Sequence, residues 1–265
     1  MPTSAIQESQ ATASRNGGVM AEHTPGGAAI NTLLAALPAD VNARLEPHPE
    51  SASLALGEVI YEANDALTHV YFPTSAIVSL LYTMEDGTSA EMGVVGCDGV
   101  VGIAVFMGGD TTPSRAIVQS AGDAMRLAVK YFRGEYKRVG ELHRLLLLYT
   151  QTLLTQFSQT AVCNRLHSVD QRLCRCLLLS LDRVAFNELT MTQELIASIL
   201  GVRREGVSVA AHQLQDAGLI RYSRGHITVV DRPGLESRVC ECYKVVKMEC
   251  DRLLPYPTRP TGPMT

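Results

Sequence analysis

The residues best suited to act on another molecule lie between Thr192 and Arg224. Arg203, Arg204 and Glu205 are consecutive, Ser208 and His212 follow Arg204 at steps of four, and Arg221 and Arg224 come shortly after. An arginine fork bonds bidentately to guanine, and a carboxylate accepts from the cytosine N4 amine. Arginines beside such a pair contact phosphates, which adds affinity without sequence choice. The chemistry this set could do is reading a DNA duplex, with Arg204 and Glu205 as the base contacts. No catalytic constellation competes: the sequence holds no Gly-x-Ser-x-Gly elbow, phosphate loop or His-Glu-x-x-His pair.

Such residues need a scaffold that presents them together. Thr192 is a good N-cap for a short helix whose apolar face is Leu195, Ile196, Ile199 and Leu200. Gly201 permits the left-handed backbone that ends it. A second helix over Val202–Ala217 turns Val207, Ala210, Ala211 and Leu214 inward, leaving Arg203, Arg204, Glu205, Ser208, Val209 and His212 outside. Two helices around a glycine step form a helix-turn-helix. Gly218 closes the second helix, and Leu219–Val230 reads as two strands joined around Ser223–Gly225, a wing carrying Arg221, Arg224 and His226. A rival reading is a helical hairpin in a core, its arginines merely solvated.

Further upstream, Asp170–Phe186 reads as a helix. The proline-free stretch from Tyr131 to about Asn164 reads as one long helix. Along it Leu142, Leu146, Tyr149, Leu153, Gln156, Thr160 and Cys163 alternate at four and three, the seam of a coiled coil. This predicts pairing with a second copy; packing on its own domain is the alternative. From Leu54 to about Val129 short β-rich runs alternate with glycine turns: Val70–Pro73, Ala76–Tyr82, Met92–Val95, Arg115–Gln119 and Met125–Val129. That pattern predicts an antiparallel roll or barrel, with a β-sandwich fitting nearly as well. A helix over Ile30–Leu45 opens the folded part. The expected fold class is therefore α+β: a disordered tail over 1–27, a β-roll sensor domain over 28–130, a dimerisation helix over 131–166, a winged helix-turn-helix over 167–245 and a tail over 246–265.

Composition agrees. A chain of 265 residues with 46% hydrophobic and 19% charged content has room for two modest domains. No apolar run approaches the roughly 20 residues of a membrane helix, and no signal peptide is evident, which points to the cytoplasm and away from membranes. The net charge of -4 conceals an asymmetry. Between Glu46 and Asp123 acids dominate and Arg115 is the sole arginine or lysine, whereas arginines recur from Arg165 onward. Only the rear is suited to phosphates.

Seven scattered cysteines fit reduced thiols better than a disulfide framework. Cys174 and Cys176 lie two apart on an expected helix, as do Cys240 and Cys242, and that spacing turns a pair apart by about 200°. Neither pair chelates a metal alone. Cys240, Cys242 and Cys250 have the option of converging with another segment, but buried structural thiols are the expectation, so no metal site is assigned. Cys97, in a turn, is the candidate exposed thiol. His143, His167 and His212 show no neighbours at ligand spacing.

The segments Gly201-Val-Arg-Arg-Glu-Gly-Val and Leu214-Gln-Asp-Ala-Gly-Leu-Ile resemble the cAMP receptor protein and fumarate–nitrate regulator (Crp/Fnr) family, with weaker similarity extending from about Leu45 to Tyr243. The resemblance implies a cyclic-nucleotide-binding-like β-roll, a long dimerisation helix and a winged helix-turn-helix. It matches Arg204 and Glu205 to the base-reading pair and Thr192 to a backbone-contacting position, and Gln193 beside it joins that contact set. Val209 replaces a further family arginine, so a different operator consensus is expected. In the sensor half, Leu56-Gly-Glu-Val-Ile-Tyr and His69-Val-Tyr-Phe-Pro are similar to early roll strands. Gly99–Phe106 and Arg115-Ala-Ile-Val stand where cyclic-nucleotide members carry their phosphate cassette. Ile103 after Gly102 removes the carboxylate, and Ala116 after Arg115 removes the hydroxyl. Cyclic AMP is therefore not expected. Arg115 is the one candidate effector ligand, as a solitary anion contact; a surface or structural arginine is the alternative. No cysteine precedes Cys97, so an iron–sulfur cluster of the family's N-terminal kind is not supported.

These readings predict a homodimeric transcription regulator without enzymatic activity. It would bind a near-palindromic operator, respond to an unidentified effector at the roll, and contact RNA polymerase if it activates. The alternative is a redox or small-molecule sensor acting through a protein partner. An enzyme with a regulatory roll is disfavoured because no stretch large enough for a catalytic domain remains.

Overall fold

A computed structural model describes residues 30–184 and 187–254. The tail expected over 1–27 lies outside them. The chain opens with α1 (Thr32–Ala35) and α2 (Ala39–Leu45), two short helices in place of the single one expected, because Pro38 interrupts. Asn31 fixes this opening onto the roll. Its side chain caps α1 by accepting from Leu34 N, and its amide donates to Pro73 O at 2.9 Å and Gly99 O at 2.8 Å.

The sensor half contains β1 (Glu50–Leu54), β2 (Val59–Tyr61), β3 (His69–Pro73), β4 (Ile77–Thr83), β5 (Ser89–Val95), α3 (Ala104–Met107), β6 (Arg115–Ser120) and β7 (Gly122–Ala128). They form two antiparallel sheets, ordered β1-β7-β3 and β2-β6-β4-β5. Val70, Phe72, Val78, Val95 and Leu127 fill the space between them. Gly122 and Asp123, expected in a turn, belong to β7 and pair with Leu54 and Ser53.

The expected helix over 131–166 is two helices, α4 (Val129–Tyr136) and α5 (Glu141–Leu166). The break includes Val139, held at a left-handed φ of 54°. The expected coiled-coil seam faces inward. All seven of its residues are buried within this chain. Tyr149 donates to Val100 O, and the Gln156 amide bonds both the N–H and the C=O of Val94. A helix apolar nearly all round repeats the same four-three spacing on a second face, and here that face carries exposed Leu147 and Leu154, with Val162 and Leu166 beside them.

The rear half comprises α6 (Val169–Leu181), β8 (Glu188–Thr190), α7 (Gln193–Leu200), α8 (Arg204–Asp216), β9 (Ile220–Ser223), β10 (His226–Val229), α9 (Arg232–Arg238) and α10 (Glu241–Leu253). A capping box of Ser168 and Gln171 starts α6. Leu189, expected within a helix, lies on β8, the outer strand of a sheet ordered β8-β10-β9. The tail expected from 246 is helical through Leu253: α10 runs back antiparallel along α5, with Cys240 beside Cys163, Glu249 bonded to Gln151, and Leu254 in the sensor core. No helix among the described residues is long and apolar enough to cross a membrane.

The two halves meet across β5. Ser89 and Ser198 hydroxyls lie 2.5 Å apart, and Gln119 donates to Ser180 Oγ at 2.8 Å. Buried Arg183 pairs with Asp98 at 2.8 Å. Half-buried Glu91 accepts from Ser79; burial lifts its carboxyl above the ordinary range, while Ser79, Arg175 and Arg183 pull it down. Cys97, the expected exposed thiol, is half-buried at this seam and donates to Arg183 O.

Candidate nucleic-acid interface

Helix α7 starts at Thr192, whose hydroxyl accepts from Leu195 N at 3.1 Å, and ends at Gly201 with a left-handed φ of 59°. Helix α8 then begins with Arg203 as N-cap. Val207, Ala210, Ala211 and Leu214 are buried against α6 and α7 and fix its rotation about its axis. That leaves Arg203, Arg204, Glu205, Val209 and His212 exposed, with Ser208 half-buried beside them.

Arg203 forms no side-chain cap, so the first N–H groups of α8 point outward without one. Such an end, with its partial positive charge, favours a phosphate. Arg204 is the first helical residue. Its Nε donates to Gln193 Oε1 at 3.4 Å, and its Nη1 lies 3.1 Å from Glu194 Oε1. Ser208 Oγ donates to the same Gln193 oxygen at 2.7 Å. Thus Gln193, Arg204 and Ser208 form one connected surface. Glu194 is a member that sequence reasoning missed, ten positions from Arg204 with no spacing rule to link them. The pair is exposed on both sides, so releasing the guanidinium to a base costs about 1 kcal/mol or less. His212 Nδ1 donates to Ser208 O at 3.1 Å, which leaves Nε2 facing outward.

The wing stands beside this surface. Arg224 and Gly225 hold φ of 50° and 83°, the two positive values of the tight turn that matches a twisted hairpin. Gln215 on α8 accepts from Tyr222 N at 2.9 Å, and Tyr222 donates to Met191 O at 3.1 Å, stapling wing to helix. Arg221, Arg224 and His226 are exposed. The structure brings all nine candidate DNA-contacting residues onto these adjoining elements.

In the sensor half, a cavity of about 120 Å³ is lined by Tyr61, Tyr82, Ile103, Thr112, Ser114 and, from α5, Phe157, among others. It is smaller than the roughly 300 Å³ at which drug-sized ligand sites begin. Arg115 is not among its lining residues; its Nε lies 3.2 Å from Glu62 Oε2. Ile103, the residue after Gly102 at which the family resemblance expects a carboxylate, is among its lining residues. Phe157 makes α5 part of the cavity wall.

Residues 52–138 match the cyclic nucleotide-binding domain, and residues 171–238 match the Crp-like helix-turn-helix domain. No curated protein sequence matches the chain. Among solved structures it is similar to FixK2 from Bradyrhizobium japonicum, with 18% identity and a TM-score of 0.59 over 72% of this chain and 98% of that one. It is also similar to a transcriptional regulator of the CRP family from Thermus thermophilus, TTHB099, with 18% identity and a TM-score of 0.59 over 71% and 95%. A third is CLP, the c-di-GMP responsive global regulator of Xanthomonas campestris, with 16% identity and a TM-score of 0.58 over 72% and 99%. At these identities the structures share the fold.

Proposed function

This chain belongs to the Crp/Fnr family of transcription regulators, and from that premise we propose that it acts as a homodimer reading a near-palindromic operator under control of a small effector in its β-roll. The observation that carries the reading is the exposed cluster of Arg203, Arg204 and Glu205 at the uncapped start of α8, with the wing beside it. In this mode the start of the recognition helix enters the major groove. Arg204 and Glu205 read bases. Thr192, Gln193, Arg203, Ser208, His212, Arg221 and Arg224 hold backbone and flanking positions.

The dimer forms through the outer face of α5. Leu147 and Leu154 are 52% and 57% exposed, Val162 and Leu166 are 43% and 70% exposed, and these large apolar side chains recur along one side of a 26-residue helix. Paired α5 helices would set two α8 helices on successive major grooves, roughly 34 Å apart. The effector is a small, largely apolar molecule rather than cyclic AMP, since the cavity is small and Arg115 is engaged with Glu62. It acts by favouring one placement of the α8 pair over another. Where the protein activates transcription, it also contacts RNA polymerase.

Selection from a random DNA pool by the purified protein tests this. A two-fold-symmetric motif with half-sites one helical turn apart is the expected result. Failure to enrich any motif, in reducing and oxidising buffer and with candidate effectors added, would overturn the proposal.

A further inference from the structure

Four side chains with no part in DNA reading converge at the far end of α5. Cys163 and His167 stand four apart on its last turn and C-cap, so they share a face. Cys240 and Cys242 come from the start of α10. The turn of about 200° expected between Cys240 and Cys242 does not apply, because Cys240 is the N-cap with extended backbone, φ -70° and ψ 162°. Both thiols therefore reach one point. Cys163 Sγ lies 3.5 Å from Cys240 Sγ, and Cys242 Sγ lies 3.6 Å from His167 Nδ1. All four donor atoms fall within 4.8 Å of one another. Cys250, the third thiol weighed for such a group, is elsewhere, packed in the core with Tyr243 and Val246.

We propose that Cys163, His167, Cys240 and Cys242 bind a single zinc ion. Donors held at about 2.0–2.3 Å from one tetrahedral ion stand about 3.3–3.8 Å apart, and the two closest pairs here already match that edge. In an iron–sulfur cluster the four ligands are divided among two or four irons, so the full set spreads farther apart than this group does. All three thiols are buried, which suits a closed structural site rather than a catalytic one with an open position.

The surroundings fit the charge of such a site. Three thiolates, a neutral imidazole and a divalent ion sum to minus one. Arg172 and Arg175 are buried and close enough to Cys163 to act on it electrostatically. Arg172 donates to Leu200 O and Arg175 to Thr160 Oγ1, but each also carries a buried Nε with no hydrogen-bond partner among the described residues. Buried cations need nearby counter-charge; Glu91 supplies part of it to Arg175, and a metal–thiolate centre would supply it to both. Glu241 completes the arrangement: its carboxylate lies 3.4 Å from His167 Nε2, so it orients the ring that presents Nδ1. Carboxylate partners of this kind are the usual outer support of a metal-bound histidine.

The site would join two junctions, that between α5 and α6 and that between α9 and α10. It would therefore fix how the DNA-binding half leaves the long helix. This inference does not depend on the operator proposal, since metal content is read without DNA.

The test is metal analysis of the full chain purified anaerobically, with reductant and without chelator. One zinc per chain is expected, with zinc affinity lowered at least 100-fold in Cys240→Ser and about 10-fold in Glu241→Gln, and unchanged in Cys97→Ser. Replacement by cobalt should give tetrahedral d–d bands and thiolate charge transfer of three-sulfur intensity, reduced by a third in Cys240→Ser. Glu241→Gln alters an exposed side chain, so the affinity test survives if the cysteine variant fails to fold. Zinc titration against a chromophoric chelator that shows no site tighter than micromolar would overturn the proposal. So would iron with visible absorption, a Cys163–Cys240 disulfide in protein kept reduced, or full zinc retention in Cys240→Ser.

Discussion

At the scale of single residues, the candidate DNA contacts differ in what they should do. Arg204 is the proposed base reader, so Arg204→Ala should cost about 1–3 kcal/mol and relax preference at one position of each half-site. Binding to a panel of single-base operator variants measures this, and an unchanged preference would refute the assignment. Arg221 and Arg224 are on the wing, where each truncation should lower the slope of log affinity against log salt by about 1 while leaving the ranking of operators intact. Glu135 is a purely structural case. Arg44 donates to both its oxygens, at 2.9 and 2.8 Å, and this bond holds the carboxyl below its ordinary range. The folded carboxyl binds its proton less readily than the unfolded one. Its stabilisation is therefore complete above an unfolded pKa of about 4.3 and is lost as pH falls through the lower folded value. Glu135→Gln should cost about 1–2 kcal/mol at neutral pH and progressively less in acid; urea unfolding across that range should show the gap closing. The candidate DNA-contacting set could be grouped from the sequence because arginines and a carboxylate follow a glycine step at helical spacing. The cysteine–histidine cluster was not, because its halves are 73 positions apart, from His167 to Cys240. The local signal that was present, Cys163 and His167 on one helical face, has meaning only once α10 is known to return.

At the scale of elements, α5 shows where periodicity is informative and where it is not. The four-three spacing located the helix and its buried line, but the same spacing exists on two faces. Hydrophobicity selected the face that Val94, Val100 and Cys240 cover within this chain. Leu147 and Leu154 lie on the other. Leu154→Asp, alone or with Leu147→Asp, should shift the protein from dimer to monomer in sedimentation velocity and weaken operator binding, with thermal stability of the monomer little changed. A dimer persisting in the double variant would place the interface elsewhere. Strands β3 to β7 were legible from their glycine turns and β-branched runs; β1, with Glu50, Ser51 and Ser53 among its five residues, was not, and β2 was marked only by the family resemblance. The break before α5 was missed although a signal for it stands in the sequence: Gly140, beside the left-handed Val139, is the N-cap of α5 and a poor residue for a helix interior. Strand β8 was missed because three residues carry too little pattern.

At the scale of the molecule, the sensor and DNA-binding halves share buried contacts rather than a bare linker. Ser89 meets Ser198, Gln119 meets Ser180, and Asp98 meets Arg183. Leu254 extends this sharing, since it follows the last helix of the rear half yet is buried in the sensor core. Leu254→Ala should destabilise the sensor half by about 2–4 kcal/mol, read by denaturant unfolding with a probe in the roll; a loss below about 0.5 kcal/mol would mean that α10 is not anchored there. The return of α10 along α5 has a mechanical consequence. A domain hung from one strand of chain is free to swivel in every direction, whereas this one is held by an outgoing and an incoming pass lying side by side. Were the contacts at Ser198, Ser180 and Arg183 to part, the two passes would still leave it chiefly one rotation, about the axis they define, like a door on its post. An effector of the kind proposed would therefore not have to choose among many orientations of the recognition helices. It would have only to set one angle.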